Sequence, residues 1–155
     1  MGWRLCLVSL AALRIKMSYH YLITPFVAWF VAGSLKFLMN SLIAKKAATH
    51  LIGYGGLPSN HSAIVSSMVA LIGLREGIAH PAFGVAVTLA FIVMLDASSL
   101  RRQIGKHAET INQLIRPQDS SIPKLRERMG HSALEIVAGA IVGTLVAVAV
   151  NYFSV

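Results

Sequence analysis

The chain has 155 residues, of which 55% are hydrophobic and only 13% charged, against about a quarter charged in an ordinary soluble domain. Long apolar runs without period-2 alternation exclude a β-barrel and predict one all-α domain, an integral membrane helical bundle. The net charge of +8 does not point to nucleic acid, because the basic residues flank apolar runs, where they set orientation and meet anionic headgroups.

Residues 1–16, "MGWRLCLVSLAALRIK", have an apolar centre but end on Arg14 and Lys16 and lack a small-residue cleavage site. They read as an N-terminal extension ahead of Met17 or as an interfacial helix, with residues 17–155 forming the domain. Cys6 is the single cysteine, so no internal disulfide or thiolate metal motif is expected.

The first span is expected over about Tyr21 to Ile43, with Lys36 as its one charge. A polar exit and a glycine-rich loop lead to "GGLPSNHSA", residues 55–63, at the start of a second, shorter span. Arg75 and Glu76 mark its far end, and Pro81 breaks the chain after a very short turn. The third span ends at Asp96. Beyond it, the spacing of Ile104, Ala108, Ile111 and Leu114 predicts an amphipathic helix on the membrane surface, and "KLRERM" a solvated, lipid-facing basic patch. The fourth span carries Glu135 as its only charge. Ala138, Gly139, Gly143 and Ala147 recur in it about every four residues, a pattern that lets membrane helices pack closely. The expected architecture is therefore about four transmembrane helices plus an amphipathic cytoplasmic-side helix.

Lys45 and Lys46 follow the first span, and seven further Lys and Arg residues lie between the third and fourth, against Arg75 alone in the opposite turn. The positive-inside rule places those two loops in the cytoplasm and both termini outside. Lys36, Ser59, Asn60, His61, Asp96, Arg101, Arg102, His131 and Glu135 then all gather at the cytoplasmic ends of the helices. Ionisable groups in spans are costly and mark function. This set suits phosphate: Lys and Arg supply charge and donors, and the helix start after Pro58 offers free N–H groups. His131 and Glu135 stand four apart on one helical face, so the carboxylate can fix the ring tautomer and leave the other nitrogen as base or nucleophile.

"LPSNHSA" resembles the Pro-Ser-Gly-His motif of the type 2 phosphatidic acid phosphatases and vanadium haloperoxidases. "GHSALEIVAG" is similar to the end of their third motif. Together with "DASSLRRQIGKHAE", these segments resemble the small divergent branch of that superfamily over roughly residues 20–155. The resemblance implies a phosphatase-like membrane domain with His131 as the nucleophile that forms a phosphohistidine, Glu135 orienting it, and His61 as general acid. It implies Lys36, Ser59, Asn60 and Arg101 or Arg102 around the phosphate, and no metal or other cofactor. Apart from the resemblance, Asp96, placed to pair with Arg101 or Arg102, and Gly56 are expected as structural or site support. In this sequence Asn60 stands where the superfamily has glycine and Glu135 where it has aspartate. The arginine pair lies about thirty residues before His131, and the first motif's Arg-Pro is absent.

The expected function is removal of phosphate from a lipid phosphate or diphosphate in the bilayer, at a site facing the cytoplasm of a bacterial inner membrane. A homodimer is one way to supply the packing surface that six-span relatives build for themselves. Two alternatives stand beside it: a metal or proton transporter using His61, Asp96, His131 and Glu135, and a non-catalytic lipid-phosphate binding protein. The nearly apolar middles of the third and fourth spans count against the transporter.

Overall fold

The computed structural model of the chain describes residues 19–44, 56–115 and 122–153, and the segment 1–16, Lys45, Lys46 and Arg116 lie outside them. Among the described residues the ordered elements are all helical: α1 (Tyr19–Ala44), α2 (Asn60–Arg75), α3 (Pro81–Leu95), a π turn (Asp96–Leu100), α4 (Arg101–Ile115) and α5 (Ala133–Phe153). Pro81 sits in the first turn of α3, where its missing N–H costs nothing, and the His80 side chain caps that helix by accepting from the Ala82 amide at 3.2 Å.

Among the described residues, three helical stretches are long and apolar enough to cross a membrane: Tyr19–Leu42, Pro81–Ile115 and Ala133–Phe153. The chain is an integral membrane protein. The second of the four expected spans, α2, has 16 residues. At 1.5 Å per residue it covers about 24 Å, short of the ~30 Å hydrocarbon layer. It packs against α1, α3 and α5. Its buried face is mostly small and polar, with Ser62, Ala63, Ser66 and Ser67 beside Val65, Leu71 and Ile72. The outer helices turn Phe26, Trp29, Phe30, Val85, Phe91 and Leu145 outward instead, as lipid-facing surfaces do.

Small side chains make this arrangement possible. A Cβ on Gly139 would collide with the Ser59 carbonyl, and one on Gly143 with the Ala63 carbonyl, so α5 lies backbone to backbone on α2. Gly139, Gly143 and Ala147 form the buried stripe, while Ala138 lies at its margin. On α1 the residues Thr24, Ala28, Ala32 and Lys36, four apart, are the buried ones. Across the opposite end of the bundle, Arg75 Nε donates to Asn151 Oδ1 at 3.0 Å, and the Tyr21 hydroxyl bonds the Glu76 carboxylate.

The helical path does not stop at Asp96. It runs through the π turn straight into α4, so the polar helix continues the third span instead of standing apart from it. The face of α4 that the protein covers is small and polar: Gly105, Ala108 and Asn112. A returning strap, residues 122–130, lies on it. Asn112 Nδ2 donates to the Leu125 carbonyl at 2.8 Å and to Glu127 Oε1 at 2.9 Å, while its Oδ1 accepts from the Leu125 amide at 2.8 Å. Ile104, Ile111 and Leu114 point outward. Of the four positions read as one amphipathic stripe, only Ala108 is buried, because the strap takes the face that the small residues open. Within "KLRERM", Lys124 pairs with Glu127 at 3.0 Å.

Candidate active site

The strap delivers Gly130 and His131 to the π turn. In that turn the Arg101 amide bonds to the Asp96 carbonyl, five residues back. The carbonyl of Ala97 accepts from the His131 amide at 2.9 Å. A π turn thus supplies the backbone acceptor that positions the histidine, in keeping with the frequent placement of such turns at functional sites. Gly130 is required beside it. Its φ is +83°, and a Cβ there would stand 2.7 Å from Arg102 Cγ and 3.1 Å from the Ala97 carbonyl oxygen.

His131 is buried, and its Nδ1 lies 3.1 Å from Glu135 Oε2. The same carboxylate oxygen accepts from the Ser132 amide at 2.8 Å, and the Ser132 hydroxyl accepts from the Glu135 amide at 3.3 Å. Ser132 and Glu135 therefore form a reciprocal capping box at the start of α5. The anionic side chain also sits where the helix dipole favours it. Glu135 does two things at once: it closes the helix start and holds the imidazole by Nδ1, which leaves Nε2 free. The capping role was legible in the Ser-x-x-Glu spacing ahead of an apolar run, a signal the sequence reading passed over.

The start of α2 meets this helix from the other side. The Ser59 amide donates to the Glu135 carbonyl at 2.9 Å. Ser59 is fully buried and is the N-cap, its Oγ accepting from the Ser62 amide at 3.3 Å and the Ser62 hydroxyl at 3.0 Å. Its hydroxyl is thus engaged beneath the site. Two residues on, the exposed His61 ring faces His131 with centroids 6.3 Å apart and planes tilted by 54°.

The charged groups close around these rings. Arg101 Nε binds Asp96 Oδ2 at 2.6 Å. Arg101, Asp96, His131 and Lys36 are all near enough to His61 for their charges to act on it, and Lys36 likewise interacts with Glu135. Lys36 is 9% exposed, the last member of the buried stripe on α1. Asn60 turns toward α1, its Nδ2 3.6 Å from where a Cβ on Gly33 would stand. Its Oδ1 is buried with no hydrogen-bond partner among the described residues. Gly56, at φ +144°, would place a Cβ 3.4 Å from Asn40 Oδ1, so it lets the loop pass close to α1. Arg102 alone turns elsewhere, to a pocket with Ser98, Ser99, Gln103 and Lys106. Among the described residues no three His, Cys, Asp or Glu side chains converge as a metal-binding group.

Comparison with known proteins adds to this geometry. The family described as Divergent PAP2 matches residues 17–146. The chain is also 28% identical over 148 residues to the uncharacterized membrane protein YuiD of Bacillus subtilis, an alignment covering 85% of this chain and 94% of that protein. No solved structure matches.

Proposed function

For a chain that belongs to the Divergent PAP2 family, we propose a membrane phosphatase that cleaves a lipid phosphate or diphosphate through a phosphohistidine on His131. The observation that carries this reading is the pairing of His131 with Glu135 at 3.1 Å, with the His61 ring 6.3 Å across from it. The two rings thus stand close enough together to act on one bound phosphoryl group.

In the first step His131 Nε2 attacks phosphorus. The bond from phosphorus to the lipid oxygen breaks, and His61 gives that oxygen a proton. In the second step water attacks the phosphohistidine, His61 takes the proton, and phosphate leaves with cleavage of the P–N bond. Dividing the displacement into two steps lowers each barrier. Glu135 keeps Nδ1 engaged and stabilises the imidazole as charge develops on it.

Lys36 and Arg101 supply the positive charge that phosphoryl transfer needs, a demand met mainly by positioning and electrostatics. Asp96 holds the Arg101 guanidinium in place. Ser59 acts mostly as a foundation, tying α2 to α5, and Asn60 and Gly56 shape the wall nearest α1. The lipid tails remain in the bilayer. The basic residues that follow the first and third apolar runs in the sequence support a site on the cytoplasmic face of a bacterial inner membrane.

The test is phosphate release by the purified protein from a panel of phosphatidate, phosphatidylglycerophosphate and polyprenyl diphosphate in chelator, beside His131→Ala. Release that persists in chelator, vanishes in the variant and passes through an acid-labile phosphoenzyme is the expected result. A folded wild type that binds these lipids without releasing phosphate would show a binding protein. Stabilisation by divalent cations alone would favour a transporter.

A further inference from the structure

Two neighbouring arginines point to different places. Arg101 is paired with Asp96 beside His61, whereas Arg102, about 100° further round the helix, lines a pocket of about 410 Å³ with Ser98, Ser99, Gln103 and Lys106. The pocket is open to its surroundings, with Ser99, Arg102, Gln103 and Lys106 exposed and Ser98 half-buried. These five residues share one face of the helical path across the π turn into α4.

The lining is cationic and carries no acid. Arg101 and Lys124 have carboxylate partners, but among the described residues neither Arg102 nor Lys106 is in an ion pair. Two unpaired cations four residues apart repel one another, an arrangement that an anion between them relieves. Ser98 and Ser99 donate their hydroxyls to the Leu95 carbonyl at 3.2 and 2.6 Å, so the oxygens they present to the pocket are acceptors. The Gln103 amide adds both a donor and an acceptor. Arginine and lysine suit phosphate, and the serine oxygens suit hydroxyl groups beside it.

We infer that this pocket is a second ligand site, separate from the His131 site, for a glycerol phosphate group. Either a glycerophospholipid headgroup or a soluble glycerol phosphate presents that chemistry. The site does not depend on the phosphatase reading. Its occupant would brace Arg102, whose stem backs Gly130 and hence the His131 strap.

The site can be probed in a Cys6→Ala, Ser99→Cys chain in dodecyl maltoside, by the rate at which neutral N-ethylmaleimide alkylates the introduced thiol. Phosphatidylglycerol, soluble glycerol 3-phosphate and uncharged diacylglycerol are added separately. At a ligand concentration ten times its dissociation constant, labelling slows about tenfold. Protection by phosphatidylglycerol alone assigns a lipid headgroup, and protection by glycerol 3-phosphate assigns the soluble compound. Lys106→Glu, and independently Arg102→Met, which keeps the stem against Gly130, should remove the protection, while His131→Ala should retain it. The inference is overturned by equal protection from diacylglycerol, by no protection from either phosphate, by protection that survives both pocket variants, or by its loss in His131→Ala.

Discussion

The backbone amide of His131 donates to the carbonyl of Ala97 at 2.9 Å, which fixes the histidine to the π turn at the end of α3. Residues far apart in sequence thus share one backbone bond at the centre of the site. Gly130 lets the strap approach closely enough to make it.

Gly130→Ala tests that approach. A left-handed φ on a residue with a Cβ costs roughly 1–3 kcal/mol, and here the Cβ also meets Arg102 Cγ at 2.7 Å. Gly77 has a similar φ of +85° at the other end of the bundle, with nothing within 4 Å of its Cβ position. Both alanine variants should lower the thermal midpoint. Phosphate release should fall only in Gly130→Ala, and an equal fall in both would detach the strap from the chemistry.

The two duties of Glu135 can be separated. Ser132→Ala removes one half of the capping box and should cost about 1 kcal/mol of stability with turnover largely kept. Glu135→Gln retains an oxygen for the Ser132 amide but removes the charge beside the imidazole. By analogy with orienting carboxylates elsewhere, kcat should fall by roughly 10²–10⁴. Thermal unfolding and phosphate release on the same samples check the pair, and comparable activity in the two variants would assign Glu135 to capping alone.

Close helix contact sets a third expectation. Because the Cβ positions of Gly139 and Gly143 fall on α2 backbone, Gly143→Leu should force the helices apart and lower the yield of folded protein. Gly139→Ala meets the Ser59 carbonyl, next to the bond from the Ser59 amide to Glu135, and should reduce turnover as well as stability. Wild-type behaviour in both would mean that α5 does not rest on α2 in the membrane.

Arg101 and Asp96 make a matched pair of variants. A hydrogen bond to a charged group is worth about 1.5–3 kcal/mol, so Arg101→Ala should lower kcat/KM by roughly 10–100-fold, a factor of ten per 1.4 kcal/mol. Asp96→Asn keeps the arginine but loosens its 2.6 Å tether, and a smaller loss is expected. Steady-state kinetics on one lipid substrate compares them. A larger effect from Asp96→Asn would place the carboxylate, not the guanidinium, against substrate.

The sequence by itself determined the helical membrane class, because apolar runs and loop charges are local properties that lipid reads directly. It also brought His61, His131, Glu135 and Lys36 to one end of the bundle, since helix direction alternates with each turn of the chain. The one-turn spacing of His131 and Glu135 was enough to foresee their contact.

Other features depended on tertiary contacts that no local pattern encodes. That α2 is sheltered among its neighbours follows from the glycines of α5 facing its serine-rich side. Whether Arg101 or Arg102 faces His61 was open in the sequence, because adjacent residues point about 100° apart and the helix phase decides between them. The π turn set that phase by adding a residue to one turn, sending Arg101 to Asp96 and Arg102 to the separate pocket. The strap decided the buried face of α4, because Asn112 satisfies its backbone and Gly105 gives it room.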